Sequence, residues 1–329
     1  MWCDSALCCS PHGTRHTSTS RLQVPIGGDL VQRVICDCDN TLGVPGRPID
    51  DGQALLYLLG RPDIELIGIT TTFGNGSIEQ VHEATAWLLH ELDREDIPLV
   101  RGEGKRHQPP TDAAGFLASV AARYPGQVSV LAIGPLGNLR AAAQIDPQFF
   151  NNLKQVAIMG GYLKPLEGSY WASVPELNLS RDPEAAHVVF HAPCPVTLMN
   201  AHVCQEAPFG LPHLERMHSW RGTKIYAALY DWLLRCEIAP SVPGDYLWDL
   251  LPAVYLSFPE LFDNNPVWVR STVFDLESGT VVLGTEGEGA QINMPSRIRD
   301  PNRFYEILYE AWMRVEPTGR RDRGIGHGI

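Results

Sequence analysis

Carboxylates are concentrated at the end of the first apolar run in the chain. Asp37 and Asp39 close the run that begins at Val34, and Asp50 and Asp51 follow after a short loop. In an open α/β sheet, ligands bind just beyond the carboxyl ends of the strands. Acidic side chains that meet there repel one another unless a cation lies between them, and hard cations such as Ca²⁺ and Mg²⁺ prefer oxygen ligands. The pattern predicts a metal site, with a solvated acidic loop as the simpler alternative.

Short apolar runs alternate with helical patterns along the chain. The predicted strands are Arg33–Cys38, Leu66–Thr72, Val128–Ile133, Gln155–Met159 and Pro195–Met199. The predicted helices are Gly52–Leu59, Ile78–Leu92, Ala113–Ala122, Gly137–Ala143, Pro183–His191 and Thr223–Ile238. A two-stranded excursion is predicted at Val267–Phe274 and Thr280–Leu283. This alternation is typical of the α/β class, with an open, mostly parallel sheet that carries helices on both faces.

The two ends of the chain differ from its centre in composition. Residues 1–30 are rich in Ser, Thr, Cys, His and Gly without apolar periodicity, which predicts a disordered N-terminal extension. Residues 317–329 are rich in Gly and Arg, which predicts a flexible tail. Residues 31–316 contain no internal repeat or low-complexity linker and are predicted to form a single α/β domain.

Composition and charge exclude several classes of protein. The 329 residues carry a formal net charge of −12, and such a surface disfavours nucleic acid as a partner. No apolar run approaches the roughly 20 residues that span a bilayer, so no membrane association is expected. No Cys-x-x-Cys pair is present, which argues against zinc. The scattered cysteines predict free thiols and a cytoplasmic location.

One interpretation of the first motif is phosphoryl transfer. Asp37-x-Asp39 after an apolar strand is similar to the haloacid-dehalogenase phosphatases, in which the first Asp is a nucleophile and Mg²⁺ is required. Gly244-Asp245 also resembles a late magnesium motif of that superfamily. In that superfamily the late motif follows a buried strand, whereas the two prolines of residues 238–243 predict a loop. This alternative also leaves Asp50 and Asp51 unexplained.

A second resemblance takes in more of the chain. Asp37-x-Asp39 with Asp50-Asp51-Gly52 opening a helix resembles the inosine–uridine preferring nucleoside hydrolase family. Further segments match that family in order: Ile69–Asn75, Leu131–Leu139, Ile158–Gly161, Pro175–Asn178 with Arg181–Ala186, and Trp248–Val254. The resemblance extends over about residues 32–315. It implies hydrolysis of the N-glycosidic bond of ribonucleosides to free base and ribose.

The resemblance also implies roles for individual residues. Asp39 binds Ca²⁺ and activates the calcium-bound water by accepting its proton, as a general base does. The implied metal ligands are Asp39, Asp51, Asp249 and the backbone carbonyl of Ile133. The implied contacts to the ribose come from Asp50, Asn75, Glu176 and Asn178. Asp37 is expected to lie behind the ligands and orient them, and Asp182 is expected to cap a helix ahead of Pro183.

The chain departs from the family pattern at three places. Trp248 stands where many members carry the His that protonates the leaving base, and its flat face suits stacking on a heterocycle. Purine-preferring members of the family have Trp at this place, so the resemblance implies a preference for purine nucleosides, with Trp248 as a catalytic and base-binding residue. Tyr170 replaces an Asn that often holds the ribose, and it and Trp171 could form part of the same wall. The loop between Asn40 and Ile49 is longer than usual, but its Gly and Pro residues permit a turn that returns Asp50 and Asp51 to the site.

Other assignments remain open at the level of sequence. His107 and His202 are placed in loops near the expected mouth, where either could serve as an acid. A catalytically silent nucleoside-binding or metal-binding protein is a third alternative, because the departures affect the site itself. By resemblance, the partners are a small-molecule nucleoside and further copies of the chain in a homodimer or homotetramer.

Overall fold

Most of the candidate residues lie at the carboxyl ends of the central strands. A computed structural model of the chain describes residues 31–166 and 175–315, and these residues belong to one compact unit. The predicted N-terminal extension, the predicted tail, Tyr170 and Trp171 lie outside the described residues. Their predicted structure therefore stays a prediction.

The described strands form two sheets. They are β1 (Gln32–Cys38), β2 (Ile64–Thr71), β3 (Leu99–Arg101), β4 (Val128–Ala132), β5 (Leu153–Met159), β6 (Val196–Met199), β7 (Pro208–Gly210), β8 (Glu237–Ala239), β9 (Val242–Tyr246), β10 (Pro266–Val269), β11 (Leu283–Gly284) and β12 (Ala290–Asn293). The larger sheet has the order β11-β10-β12-β6-β5-β4-β1-β2-β3, and the smaller one has the order β7-β9-β8. The strands from β3 to β12 across the larger sheet are parallel, and β10 is antiparallel to both of its neighbours.

Helices pack against the larger sheet through two apolar clusters. The α-helices of the described residues are α1 (Asp50–Gly60), α2 (Ile78–Glu91), α3 (Asp112–Arg123), α4 (Gly137–Ile145), α5 (Phe149–Asn152), α6 (Pro183–Phe190), α7 (Ala201–Cys204), α8 (Leu211–Glu215), α9 (Lys224–Leu233), α10 (Leu250–Ser257), α11 (Val273–Leu276) and α12 (Pro301–Trp312). One cluster includes Val34 and Cys36 of β1, and the other includes Ile35 of the same strand. Successive residues of a strand point to opposite faces, so both faces of the sheet are covered. The predicted α/β class and its open, mostly parallel sheet are confirmed.

Strand order explains why candidate site residues lie close together beside β1. The chain runs from β1 outward through β2 and β3, and then returns to pair β4 with the opposite edge of β1. A crevice opens beyond the carboxyl ends of strands where the order reverses in this way. Asp39 follows β1 directly, and Ile133 follows β4 directly. Topology alone therefore brings these two residues to the same edge.

Most predicted elements are observed, and the differences have local causes. All five predicted strands are present, but the predicted helix Thr223–Ile238 ends at Leu233, because the following residues enter the smaller sheet. The predicted strand Val267–Phe274 stops at Val269, since Thr272 caps the short helix α11. Residues 238–243, predicted to be a loop, instead contribute to β8 and β9. Pro240 lies in the turn between the two strands, and Pro243 is the second residue of β9, near the start of that strand, where a proline is better tolerated than in its middle.

Candidate functional site

A cleft opens beside the carboxyl ends of β1, β4 and β5. It encloses about 830 Å³, including the solvent at its mouth. Predicted site residues that line it are Asp50, Asn75, Ile133, Glu176, Asn178, Trp248 and Asp249. Pro48, Met159, Tyr162 and Leu166 supply much of its apolar wall. The cleft thus combines a carboxylate floor with apolar sides, which is typical of a small-molecule site.

Three carboxylates converge on the floor of the cleft. Asp50, Asp51 and Asp249 each place one oxygen within 4.8 Å of the others. The first two open α1, where the positive end of the helix dipole favours negative charge. Asp249 precedes α10, but its carboxylate makes no capping hydrogen bond. A capping role, the simpler alternative for this residue, therefore does not account for it.

Asp39 lies beside this cluster and is fixed by the backbone. Its Oδ2 accepts a hydrogen bond from the Asn75 backbone N–H at 2.5 Å, and its own N–H donates to Asp51 Oδ1 at 3.0 Å. A Cβ on Gly74 would lie 2.0 Å from Asp39 Oδ2, and one on Gly134 would lie 3.0 Å from Oδ1. The two glycines are thus required by the close approach of the backbone to this carboxylate.

Burial gives these carboxylates unusual protonation behaviour. Burial, with repulsion from the other carboxylates, raises the pKa values of Asp39, Asp51 and Asp249 well above the ordinary range. Burial raises the pKa of Asp50 to about 6. Removing charged groups from water is costly unless an opposite charge accompanies them. A cation at this position would remove that cost.

The oxygen atoms present fit a hard divalent cation. Oδ1 of Asp39, of Asp50 and of Asp249 is buried and has no hydrogen-bond partner among the described residues. Such atoms are costly unless something satisfies them, and an all-oxygen donor set is what Ca²⁺ prefers. The tight group contains Asp51 and Asp249, two of the residues expected to be metal ligands, together with Asp50, which is expected to contact the ribose; these roles stay predictions. Asp39 is adjacent to that group rather than part of it.

The carbonyl of Ile133 is held in place by a neighbouring side chain. Asn178 Nδ2 donates to the Ile133 carbonyl at 3.3 Å and to the Met159 carbonyl at 3.1 Å. This amide joins the ends of β4 and β5, and its residue is 8% exposed. Asn178 therefore fixes the position of a predicted metal ligand while it lines the cleft. Its ribose contact stays a prediction.

Glu176 organises the loop that bears it. Its Oε1 accepts hydrogen bonds from the backbone N–H groups of Gly161, Asn178 and Leu179, and its Oε2 accepts one from Ser180. An ordinary surface acid would not collect so many backbone donors. The carboxylate is thus rigid at the wall of the cleft, where its predicted ribose contact would be made.

The long loop after Asn40 returns its two carboxylates to the site, as expected. Thr41 Oγ1 donates to the Pro48 carbonyl at 2.8 Å, which closes the loop, and Arg47 donates to the Asn75 carbonyl at 2.9 Å. Asn75 in turn donates from Nδ2 to Asp51 Oδ2 at 3.1 Å. Asn75 is therefore bonded to the carboxylates on both sides of the loop and is more than a turn residue.

Trp248 is mostly buried, and part of it lines the cleft. It is 6% exposed, and its Nε1–H donates to Asp245 Oδ1 at 2.9 Å. Its ring meets the edge of Tyr246 at a centroid distance of 5.1 Å. Because the indole N–H is already engaged, the surface that Trp248 offers a ligand is apolar. The two candidate histidines do not line the cleft: His107 approaches Glu184 at 3.9 Å, and His202 lies on α7.

Beneath the cleft lies a layer of buried polar residues around Asp37, and the sequence gives no role to two of them, Thr70 and Glu103. Asp37 Oδ1 accepts hydrogen bonds from Thr70 Oγ1 at 2.5 Å and from Asn138 Nδ2 at 2.8 Å. Asn138 Oδ1 also accepts the backbone N–H of Glu103. Burial raises the pKa of Asp37 to about 7. Asp37 is thus held by Thr70 and Asn138 and does not line the cleft, and its expected role in orienting the metal ligands stays a prediction.

Glu103 is the residue of this layer whose side chain has the fewest hydrogen bonds. Its side chain is 0% exposed, and neither carboxylate oxygen has a hydrogen-bond partner among the described residues. Arg140 approaches it at 3.8 Å, but that guanidinium lies closer to Asp182, at 3.2 Å. Burial raises the pKa of Glu103 to about 7, against the opposing effect of Arg140. As predicted, Asp182 caps α6 through the Ala185 N–H.

We expect Glu103→Gln to stabilise the protein at alkaline pH. Between the ordinary value of 4.5 and about 7, the folded chain keeps a proton on Glu103 that the unfolded chain has lost. Wild-type stability therefore falls as pH rises through this window. Glutamine is neutral throughout, so the gain in Tm of the variant over the wild type should be larger at about pH 8 than at about pH 5. An equal difference at both pH values would contradict this origin of the instability.

Comparison with known proteins agrees with the geometry of the cleft. Residues 34–306 match the family model of the inosine-uridine preferring nucleoside hydrolases. A probable uridine nucleosidase 2 of Arabidopsis thaliana is 29% identical over 77% of this chain and 85% of its own length. An inosine-uridine preferring nucleoside hydrolase of Crithidia fasciculata is 27% identical over 57% of this chain and 66% of its own length.

Solved structures of similar fold support the same assignment of architecture. A plant nucleoside hydrolase superposes with a TM-score of 0.74 at 22% identity, covering 87% of this chain and 100% of its own. A purine-preferring ribonucleoside hydrolase from Gardnerella vaginalis superposes with a TM-score of 0.73 at 20% identity, covering 86% of this chain and 99% of its own. The family match extends from β1 to the last helix of the described fold and includes every predicted site residue. The chain therefore belongs to the inosine-uridine preferring nucleoside hydrolase family and is an enzyme of the nucleoside hydrolase class.

Proposed function

We propose that this protein hydrolyses the N-glycosidic bond of ribonucleosides to free base and ribose, with Ca²⁺ as its cofactor and with a preference for purines. The observation that carries the proposal is the buried carboxylate cluster on the floor of an apolar-walled cleft. A hard cation fits these oxygens, and a cation so held can bind the hydroxyls of a sugar and lower the pKa of a water. Asp50, Asp51 and Asp249, with the Ile133 carbonyl, would hold it.

The side chains divide the chemical work. Cleavage of a glycosidic bond develops positive charge on the sugar ring, and the carboxylates around the floor stabilise that charge. Asp39, fixed by the Asn75 N–H, accepts the proton of the attacking water through its unpartnered Oδ1. Asn75, Glu176 and Asn178 orient the ribose from the wall. The reacting groups are thereby prepositioned, which is a large part of enzymatic rate enhancement.

The base preference follows from Trp248. An indole whose N–H is engaged by Asp245 offers the leaving base an apolar surface rather than a proton. A two-ring purine presents more surface for stacking than a pyrimidine does. Relatives named as uridine nucleosidases and a structure named as purine-preferring both occur among the similar proteins. A panel of inosine, guanosine and uridine, with reducing sugar and free base as readouts, tests both the reaction and the preference.

We expect Trp248→Ala to impair purine nucleosides more than uridine. Stacking of a base on an aromatic ring is worth about 1–3 kcal/mol, so kcat/KM for guanosine should fall roughly tenfold or more. Trp248→Phe keeps a flat ring but lacks the N–H donor, so it should lose less than Trp248→Ala and separates the stacking surface from the rest of the side chain. The measurement is kcat/KM for both nucleosides with each variant. Equal losses for guanosine and uridine would remove the stacking argument.

We also propose a cytoplasmic, homo-oligomeric enzyme. The five cysteines in the described part of the chain are buried free thiols, which suits a reducing compartment. No helix within the described residues is long and apolar enough to cross a bilayer.

Turnover distinguishes the proposed enzyme from a catalytically silent nucleoside binder. Such a binder would gain stability from ribose and Ca²⁺ but would release no base.

A further inference from the structure

A buried carboxylate, that of Asp245, lies behind Trp248, the tryptophan that lines the cleft. Asp245 is 3% exposed and sits on β9, paired with Phe209 of β7. Its Oδ1 accepts hydrogen bonds from Trp248 Nε1 at 2.9 Å and from the Tyr246 backbone N–H at 2.6 Å. Its Oδ2 accepts one from Trp232 Nε1 at 2.6 Å. One side chain thus joins two indole rings, of which one faces the cleft and the other lies behind it.

No Lys or Arg of the described residues forms an ion pair with Asp245. A buried carboxylate without a cation is costly, so burial raises the pKa of Asp245 to about 7, while the three N–H donors stabilise its ionised form. Hydrogen bonds to an ionised group are roughly twice as strong as those between neutral groups. The orientation of the Trp248 ring is therefore coupled to a strong, rigid acceptor. Simple apolar packing would leave the ring freer to tilt.

The far side of the carboxylate leads to another part of the fold. Trp232 belongs to α9 and is 8% exposed. Trp232, with Trp87 and Arg47, also lines a second cleft beside the long loop. Arg47 from that loop also bonds to the Asn75 carbonyl of the principal cleft. Asp245 therefore links Trp248, which lines the principal cleft, to Trp232 of α9. Helix α9 lies next to the long loop, which also reaches the carboxylates of the principal cleft.

We infer that Asp245 is a positioning residue that sets substrate preference by fixing the Trp248 ring in the plane in which it meets the leaving base. This inference rests on the proposed function of the cleft. It explains why a residue outside the metal cluster is buried with a carboxylate rather than an apolar side chain. It also assigns Trp232 a role as the second hydrogen-bond donor that holds the carboxylate in place.

Asp245→Asn tests the inference with little change in shape. The amide offers one acceptor oxygen and turns an N–H donor group toward an indole N–H, so one tryptophan loses its partner. KM for guanosine should rise at least fivefold, with a smaller change in kcat and a smaller change for uridine. Trp232→Phe removes only the rear donor and should shift the guanosine-to-uridine ratio in the same direction, by less. Asp263→Asn, which alters a carboxylate on a distant loop bonded to Ser296, is the matched control.

Two outcomes would overturn the inference. One is a folded Asp245→Asn protein with wild-type KM values and a wild-type guanosine-to-uridine ratio. The other is a parallel loss for both nucleosides with an unchanged ratio, as a purely structural role would produce. If Asp245→Asn folds poorly, Trp232→Phe applies the same test by itself, since its phenyl ring keeps most of the packing.

A measurement without substrate separates this inference from the proposed function. The difference in fluorescence between proteins with Trp248 and with Trp248→Phe isolates the emission of Trp248. In the Asp245→Asn background this difference spectrum should shift to the red and become more accessible to acrylamide. An unchanged spectrum would contradict positioning even if nucleosides are hydrolysed. A shifted spectrum in a protein that hydrolyses no nucleoside would support positioning while refuting the proposed function.

Discussion

Asp39→Asn should lower turnover on the preferred nucleoside by about a hundredfold or more, the loss typical of removing a general base. The amide has nearly the shape of the carboxylate and can still accept the Asn75 N–H through its oxygen, so the loop should stay folded. What it lacks is the basic oxygen that takes the proton of the attacking water. The measurement is kcat at saturating substrate, because KM should change little if the ribose contacts persist.

Two comparisons make the Asp39 result decisive. Asp263→Asn, remote from the cleft, should keep wild-type turnover. Thermal unfolding of Asp39→Asn should show a protein as stable as the wild type or more stable, since one of several repelling buried carboxylates is gone. A variant that is folded and turns over at the wild-type rate would show that Asp39 is not the base.

Asp249→Asn should have opposite effects on the metal-free and the metal-bound protein. Asp249 is buried, and its charge is opposed by those of Asp50 and Asp51. Without Ca²⁺, replacement by a neutral amide should therefore raise Tm at neutral pH. With Ca²⁺, the variant should bind the ion roughly tenfold more weakly or worse, since even residues behind a metal ligand change affinity by that much. Turnover should fall with the affinity.

Calorimetric titration with Ca²⁺, together with thermal unfolding with and without the ion, measures both effects without any substrate. The wild type should gain much more Tm from Ca²⁺ than the variant does. If Asp249→Asn were stabilised by Ca²⁺ as strongly as the wild type, this carboxylate would not be a ligand. The ion would then have to be held without Asp249, by Asp50, Asp51 and the Ile133 carbonyl together with Asp39.

The sequence predicts well those features that depend on strand ends. Asp39 and Ile133 follow buried apolar strands, and parallel strands bring their carboxyl ends to one edge. The alternation of strands and helices likewise predicts the sheet and the helices on both of its faces. Asp182 before Pro183 is a local signal, and it predicts a cap correctly without any tertiary information.

The remaining features depend on contacts between distant segments. The prolines of residues 238–243 predict a loop, yet these residues form the hairpin of β8 and β9, and β9 is extended to Tyr246 by pairing with β7, far away in the chain. Glu103 gives no signal in the sequence, because its burial depends on α4 packing above it, where Gly137 leaves room for its carboxylate. The position of Asp50 within the tight cluster, and of Asp39 beside it, is a matter of side-chain geometry that spacing alone cannot resolve.

The most direct test of the central claim is to incubate the full chain with guanosine and quantify guanine and ribose, first with Ca²⁺, then with excess chelator, and then after Ca²⁺ is restored. We expect equimolar release of base and sugar with Ca²⁺, loss of release with the chelator, and recovery when the ion returns. A folded protein that releases no base from guanosine, inosine or uridine in the presence of Ca²⁺ would contradict the claim, as would release that the chelator leaves unchanged.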